Sequence, residues 1–167
     1  MGWLFNDGTD KKALVKSLNQ QRTTDKLKLK IIASRLVGNH HWYVGETAEG
    51  NRFIGLDLIQ VSKGRIGYKD MDESMGPYYN DCPLSFLKLA PYVEGFSGQH
   101  SAAWRERVVA HHARKANKNT FVENMVVQFG GMHYTLYKKV GYSWEVVDTF
   151  GKHWKLTPSS LNRCTIV

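Results

Sequence analysis

Cys82, His133 and Asp148 are the residue types of a thiol hydrolase, in the order nucleophile, base and orienting acid. Cys82 stands directly before the apolar run PLSFL, where the start of a helix would favour a thiolate. His133 and Asp148 fall in two runs that read as neighbouring strands. Two neighbours oppose this chemistry. Asp81 raises the pKa of an adjacent thiol, and Pro83 fixes a turn where a reactive elbow would be needed. The competing reading is a buried structural thiol.

A second constellation is cationic. In SAAWRERVVAHHARKANKN, Arg107, His111, Arg114 and Lys118 recur at helical spacing and share one narrow stripe. Trp104, Val108, Val109, Ala113 and Ala116 take a broad opposite arc, with Arg105 and His112 turned toward it. A basic amphipathic helix over 101–116 is therefore expected to pack one face and to offer the other to phosphates. Lys26, Lys28 and Lys30 alternate with leucines in KLKLK and form a second basic patch.

The third constellation is acidic. GYKDMDESMGPYYNDCP, residues 67–83, carries four carboxylates and three tyrosines in an otherwise basic chain. Asp70 starts no EF-hand loop, since the sixth position is Met75 rather than Gly and the twelfth is Asp81 rather than Glu. Only Asp70 and Asp72 remain as ligands for Mg²⁺. The sequence contains no HExxH, CxxC, phosphate-cradling glycine loop or GxSxG, so neither a metal centre nor a cofactor is expected. An ordered acidic loop accounts for the stretch, with Gly76-Pro77 as a turn, Asp81 as a cap and Pro83 opening the next helix. Asp70, Asp72, Glu73, Tyr78 and Tyr79 would then form a protein-contact surface.

Short elements must position these residues. Thr9 or Asp10 caps a helix running to Asn19, with Leu14 and Leu18 on one face. KLKLKIIASRLVG and the two runs around Ala48-Glu49-Gly50-Asn51 alternate at period two and predict an antiparallel meander over 26–62. Phe53, Gly55 and Asp57 face one way and Ile54, Leu56 and Leu58 the other, the pattern of a central strand. Residues 120–156, broken at Gly130-Gly131, Gly141 and Gly151, predict a second small antiparallel sheet or barrel. With two or three short helices the class is α+β, in a single domain spanning 1–167.

Composition narrows the function classes. Hydrophobic residues at 42 % and aromatics at 12 % suffice for a core, which excludes global disorder. The net charge of +8 is uneven: residues 69–98 carry two Lys/Arg against five Asp/Glu, while 99–167 carry ten against four. Such basic segments are drawn to phosphate backbones or acidic surfaces. No apolar run suits a membrane span, MGWLFNDG lacks the pattern of a signal peptide, and Asn6 breaks a myristoylation start. Two cysteines far apart fit a reducing compartment, so a cytoplasmic protein is expected.

The opening MGW, the block GYKDMDESMGPYYNDCPLSFL and the later WRERV are similar to a family of small uncharacterised proteins of bacteriophages, plasmids and other mobile elements. The resemblance covers most of the chain. It implies a genomic setting, the cytoplasm of a bacterial host, rather than a reaction, and it carries over no functional residues. The partner it implies is nucleic acid, or a host nucleic-acid-handling or defence protein. VVQFGGMHYTLYKKV departs from that family's plainer glycine turn, which sets His133 apart. The order Cys82, His133, Asp148 resembles, separately, the papain-like cysteine hydrolases. Binding is thus the leading expectation. The alternatives are a cysteine hydrolase and a protein-only inhibitor acting through 67–83.

Overall fold

The computed structural model describes residues 2–25, 28–119 and 121–167, with the side chains of all but 117–119 in that range. The chain divides into two compact units, Met1–Val109 and Ala110–Val167. Among the described residues these hold two five-stranded antiparallel sheets and four α-helices, an α+β fold.

In the first unit, β1 (Leu4–Asp7) precedes α1 (Lys11–Thr24), β2 (Lys30–Val37), β3 (His40–Glu46), β4 (Arg52–Ser62) and β5 (Arg65–Asp72). The sheet order is β1-β5-β4-β3-β2, so β4 is central, as its two-sided apolar pattern predicts. The turn from β3 to β4 places Gly50 at φ +84°, a conformation that glycine adopts without a Cβ clash. Asp10 caps α1, accepting from the N–H groups of Lys12 at 2.9 Å and Ala13 at 3.1 Å. α1 runs past its expected end at Asn19 because Arg22, in the following turn, is anchored on Asp57 of β4.

Residues 67–72, expected as loop, are most of β5. Asp70 there lies directly opposite Asp57, a like-charge pair that destabilises a ladder unless a cation joins it. Arg22 from α1 is that cation, so the strand depends on a helix far away in sequence. β1 is likewise invisible to local pattern: its four residues are all exposed, and it exists as the partner of β5.

Both faces of this sheet are covered. On one, Leu14 and Leu18 of α1 pack against Ile59 and Ile66. On the other, α2 (Leu84–Leu89) and the start of α3 (Ser101–Asn119) bring Phe86, Trp104 and Val108 against Trp42, Val44, Ile54 and Leu56. The Trp42 and Trp104 rings stack with centroids 5.7 Å apart, a geometry worth ~0.5–1.5 kcal/mol beyond the area it buries. Pro83 sits at the N-cap of α2 rather than inside its first turn, and no side chain caps that helix. Asp81 does not serve there because His40 Nδ1, at 2.7 Å, and the Trp42 indole N–H, at 3.2 Å, hold it against β3.

In the second unit, β6 (Val126–Phe129), β7 (Met132–Val140), β8 (Ser143–Asp148) and β9 (His153–Leu156) form a meander. A short α4 (Pro158–Leu161) and β10 (Thr165–Ile166) follow, and β10 returns beside β6. The order β10-β6-β7-β8-β9 leaves an open sheet, not a barrel, and carries it beyond residue 156. Thr157 starts α4 by accepting from the Ser160 N–H. Val127, Leu136, Trp144, Val146, Leu156 and Leu161 pack one face into a core. Among the described residues no helix is long and apolar enough to cross a membrane.

Candidate nucleic-acid interface

The two faces of the second sheet differ. Leu136 on β7, Val146 on β8 and Val127 on β6 point into the core and are fully buried. The alternate positions form the outer rows: Val126, Thr135, Val147 and His153 lie side by side across four strands, with Gln128 beside His133. A register shift between Leu136 and Lys138 lets Tyr137 bulge out of β7. Its ring is 56 % exposed and meets the His153 ring edge-to-face at 5.5 Å. Beyond them the row Lys138, Glu145 and Lys155 ends in two exposed lysines.

An antiparallel sheet face bearing exposed rings and lysines is the arrangement on which unpaired bases stack while cations track the backbone. The charge agrees. This unit carries eight Lys and Arg against three Asp and Glu, a net +5 with histidines neutral. No family model matches the chain, and no curated protein or solved structure matches it either.

The structure distributes the candidates named from sequence. Arg114 is exposed in the part of α3 that belongs to the second unit, and His111 is half-buried there. Arg107 is exposed in the first unit and donates to the Pro77 carbonyl at 3.1 Å and the Gly76 carbonyl at 3.4 Å. Of the expected packing arc, Trp104 and Val108 are fully buried, whereas Val109, Ala113 and Ala116 are exposed. The amphipathic pattern thus has a counterpart only in the first turns of the helix. Lys118 has its side chain outside the described residues, and Lys26 lies outside them altogether. Lys28 turns the chain at φ +43°, its N–H donating to the Asp25 carbonyl, while Lys30 opens β2 opposite Glu46.

The hydrolase residues are divided between the two units. Cys82 is fully buried in the first unit, among Trp42, Phe86 and Trp104. Burial, and after it the charge of Asp81, push its thiol far above the ordinary value, so it stays protonated. Asp148 belongs to the second unit and holds its own turn, accepting from the Trp154 indole at 2.8 Å and from the N–H groups of Lys152 and Phe150 at 2.9 Å. Those donors, the Trp154 indole first, keep it ionised below the usual carboxylate range. His133 is exposed on β7. A thiol reagent is accordingly expected to modify one of the two cysteines in the native protein, the half-buried Cys164, and to reach Cys82 only on unfolding. Mass spectrometry of labelled protein reads this directly, and rapid native alkylation of Cys82 would return it to candidacy.

The acidic residues are also placed differently from expectation. Glu73 is 2 % exposed and paired with Arg105 of α3. Asp72 accepts from the Ser74 N–H at 2.8 Å and from its hydroxyl, capping the single 3-10 turn Glu73–Met75. Asp70 faces Arg22. Of the three carboxylates foreseen as an outer surface for an inhibitor, Glu73 is drawn inside, while Asp70 and Asp72 stay partly exposed. Tyr78 is 95 % exposed, and Tyr79 rests its ring 4.3 Å from that of His40. Tyr137, Lys138, His153 and Lys155 escaped the sequence reading, although HYTLYKK and HWKL carry the alternation that separates outer from inner positions.

Proposed function

We propose that this protein acts by binding single-stranded nucleic acid across the outer face of its second sheet. The setting is that of a phage or other mobile element, as its MGW start, central block and WRERV segment suggest. The supporting observation is the Tyr137–His153 ring pair standing exposed beside Lys138 and Lys155. Tyr137 stacks a base, while Lys138, Lys155 and Arg114 take phosphates.

The test is a titration of labelled single-stranded RNA, single-stranded DNA and duplex DNA over ~50–500 mM salt. Affinity is expected to favour the single strands and to fall steeply with salt. Tyr137→Ala should weaken binding by about 5–150-fold, the equivalent of one lost stack. Lys138→Ala and Lys155→Ala should each lower the salt slope by about 1 with little change in sequence preference. An absence of binding at the lowest salt, or a Tyr137→Ala protein that binds like the parent, would sink the assignment.

A further inference from the structure

The first unit contains a cavity of about 530 Å³ on the α1 side of its sheet, a volume suited to a small molecule. Tyr43, Phe53 and Tyr68 supply aromatic walls, and Asp25, Asp70 and Asp72 bring carboxylates to its lining. Arg22 also lines it, but its charge is already matched. The guanidinium holds Asp57 in a two-pronged pair at 2.9 and 2.5 Å, with Asp57 buried and also bonded to His41 Nδ1 at 2.8 Å. The remaining lining is therefore net negative, inside a chain whose overall charge is +8.

Asp70 is the under-satisfied member. Its side-chain partners among the described residues are Arg22 Nη2 at 3.4 Å and the Tyr43 hydroxyl at 3.5 Å, both beyond good hydrogen-bond length. No three carboxylate, imidazole or thiol groups among the described residues are grouped to hold a metal ion. Ring faces, by contrast, attract organic cations. We propose that this cavity binds a small organic cation carrying an ammonium or guanidinium group, with Asp70 as its ion-pair partner and the rings of Phe53 and Tyr68 as its walls.

The groups facing Asp70 fix the sign of the pH dependence. Asp57 on β4 and Asp72 on β5 repel its charge, Arg22 on α1 attracts it, and Tyr43 on β3 donates to it. Asp25 and Tyr68 share the cavity. Burial first, then Asp57, pushes the Asp70 carboxyl up to about 6. A cation binds the ionised form, so below that point affinity should fall about tenfold per pH unit, and binding near it should release a proton. Because the folded-state pKa is raised, ionising Asp70 costs stability as pH rises from the unfolded value through the folded one. Asp70→Asn removes that cost and is expected to melt no lower than the parent above this range.

The experiment is calorimetry and thermal melting of the full chain with agmatine, using succinate and magnesium chloride as controls. Agmatine is expected to bind above neutral pH, to raise the melting temperature and to lose about tenfold in affinity at about pH 5. Succinate and Mg²⁺ should do neither. Asp70→Asn should keep its melting temperature and lose agmatine binding. Failure of agmatine to bind the parent, equal binding by Asp70→Asn, or equal binding of succinate would each overturn the proposal. None of these results bears on the second sheet, so the two readings fail separately.

Discussion

Replacing Glu73 by Ala is expected to destabilise the first unit by about 3–5 kcal/mol, the effect of stranding a buried charge. Its carboxylate takes Arg105 Nε at 2.7 Å and Nη2 at 3.0 Å. It also accepts from the Ile54 N–H at 3.0 Å and from the Ser101 hydroxyl. Truncation leaves the guanidinium inside the fold with two neutral acceptors, the Ser101 hydroxyl at 3.2 Å and the Leu87 carbonyl at 3.5 Å. It also leaves a backbone donor of the central strand unmet, a further penalty for a buried N–H. The measurement is chemical unfolding, where the midpoint should fall with little change in slope. Glu73→Leu combined with Arg105→Met should recover much of the loss, because a buried ion pair is often no better than the apolar residues that replace it. A loss below about 1 kcal/mol for Glu73→Ala would mean that the network is open to water.

Gly55→Ala should cost about 3 kcal/mol, the upper end of the range for overpacking. Gly55 lies directly across from Tyr43 in the β3–β4 ladder, and a Cβ there would clash with Cζ, Cε1 and the hydroxyl of Tyr43. The backbone is not the obstacle, since Gly55 is absent from the glycines with positive φ among the described residues. The ring cannot easily yield. Tyr43 is 3 % exposed, with the Arg22 guanidinium 4.0 Å over its face and the His41 ring stacked at 5.9 Å. Tyr43→Ala should carry its own cost, but adding Gly55→Ala to it should then cost little, giving a strongly non-additive double-mutant cycle. Simple additivity would place the origin of the glycine requirement elsewhere.

The sequence makes some of this legible and hides the rest for a consistent reason. The turn at Gly50, the central place of β4 and the packed start of α3 follow from local period and turn chemistry. Where each charge goes does not. Asp57 reads correctly as sharing a face with Phe53 and Gly55, yet its partner Arg22 lies on α1, beyond the point where that helix was expected to stop. Glu73 looks like part of an acidic surface because Arg105, which draws it inside, comes from another element. The same holds for the candidate interface: a basic stripe is conspicuous on a helix, whereas Tyr137 and His153 become neighbours only through strand pairing and a bulge.

Each sheet is a four-strand meander completed by a strand from the far end of its own unit: β1 beside β5, and β10 beside β6. That arrangement orders events in time. Successive hairpins close short loops and form early, whereas Leu4 must find Tyr68, and Ile166 must find Val127, across the longest loops their sheets contain. The first and last strands are therefore the last to settle on their sheets and the first to leave. β4 and β7, paired on both sides by strands near in sequence, keep the registers on which those late arrivals depend.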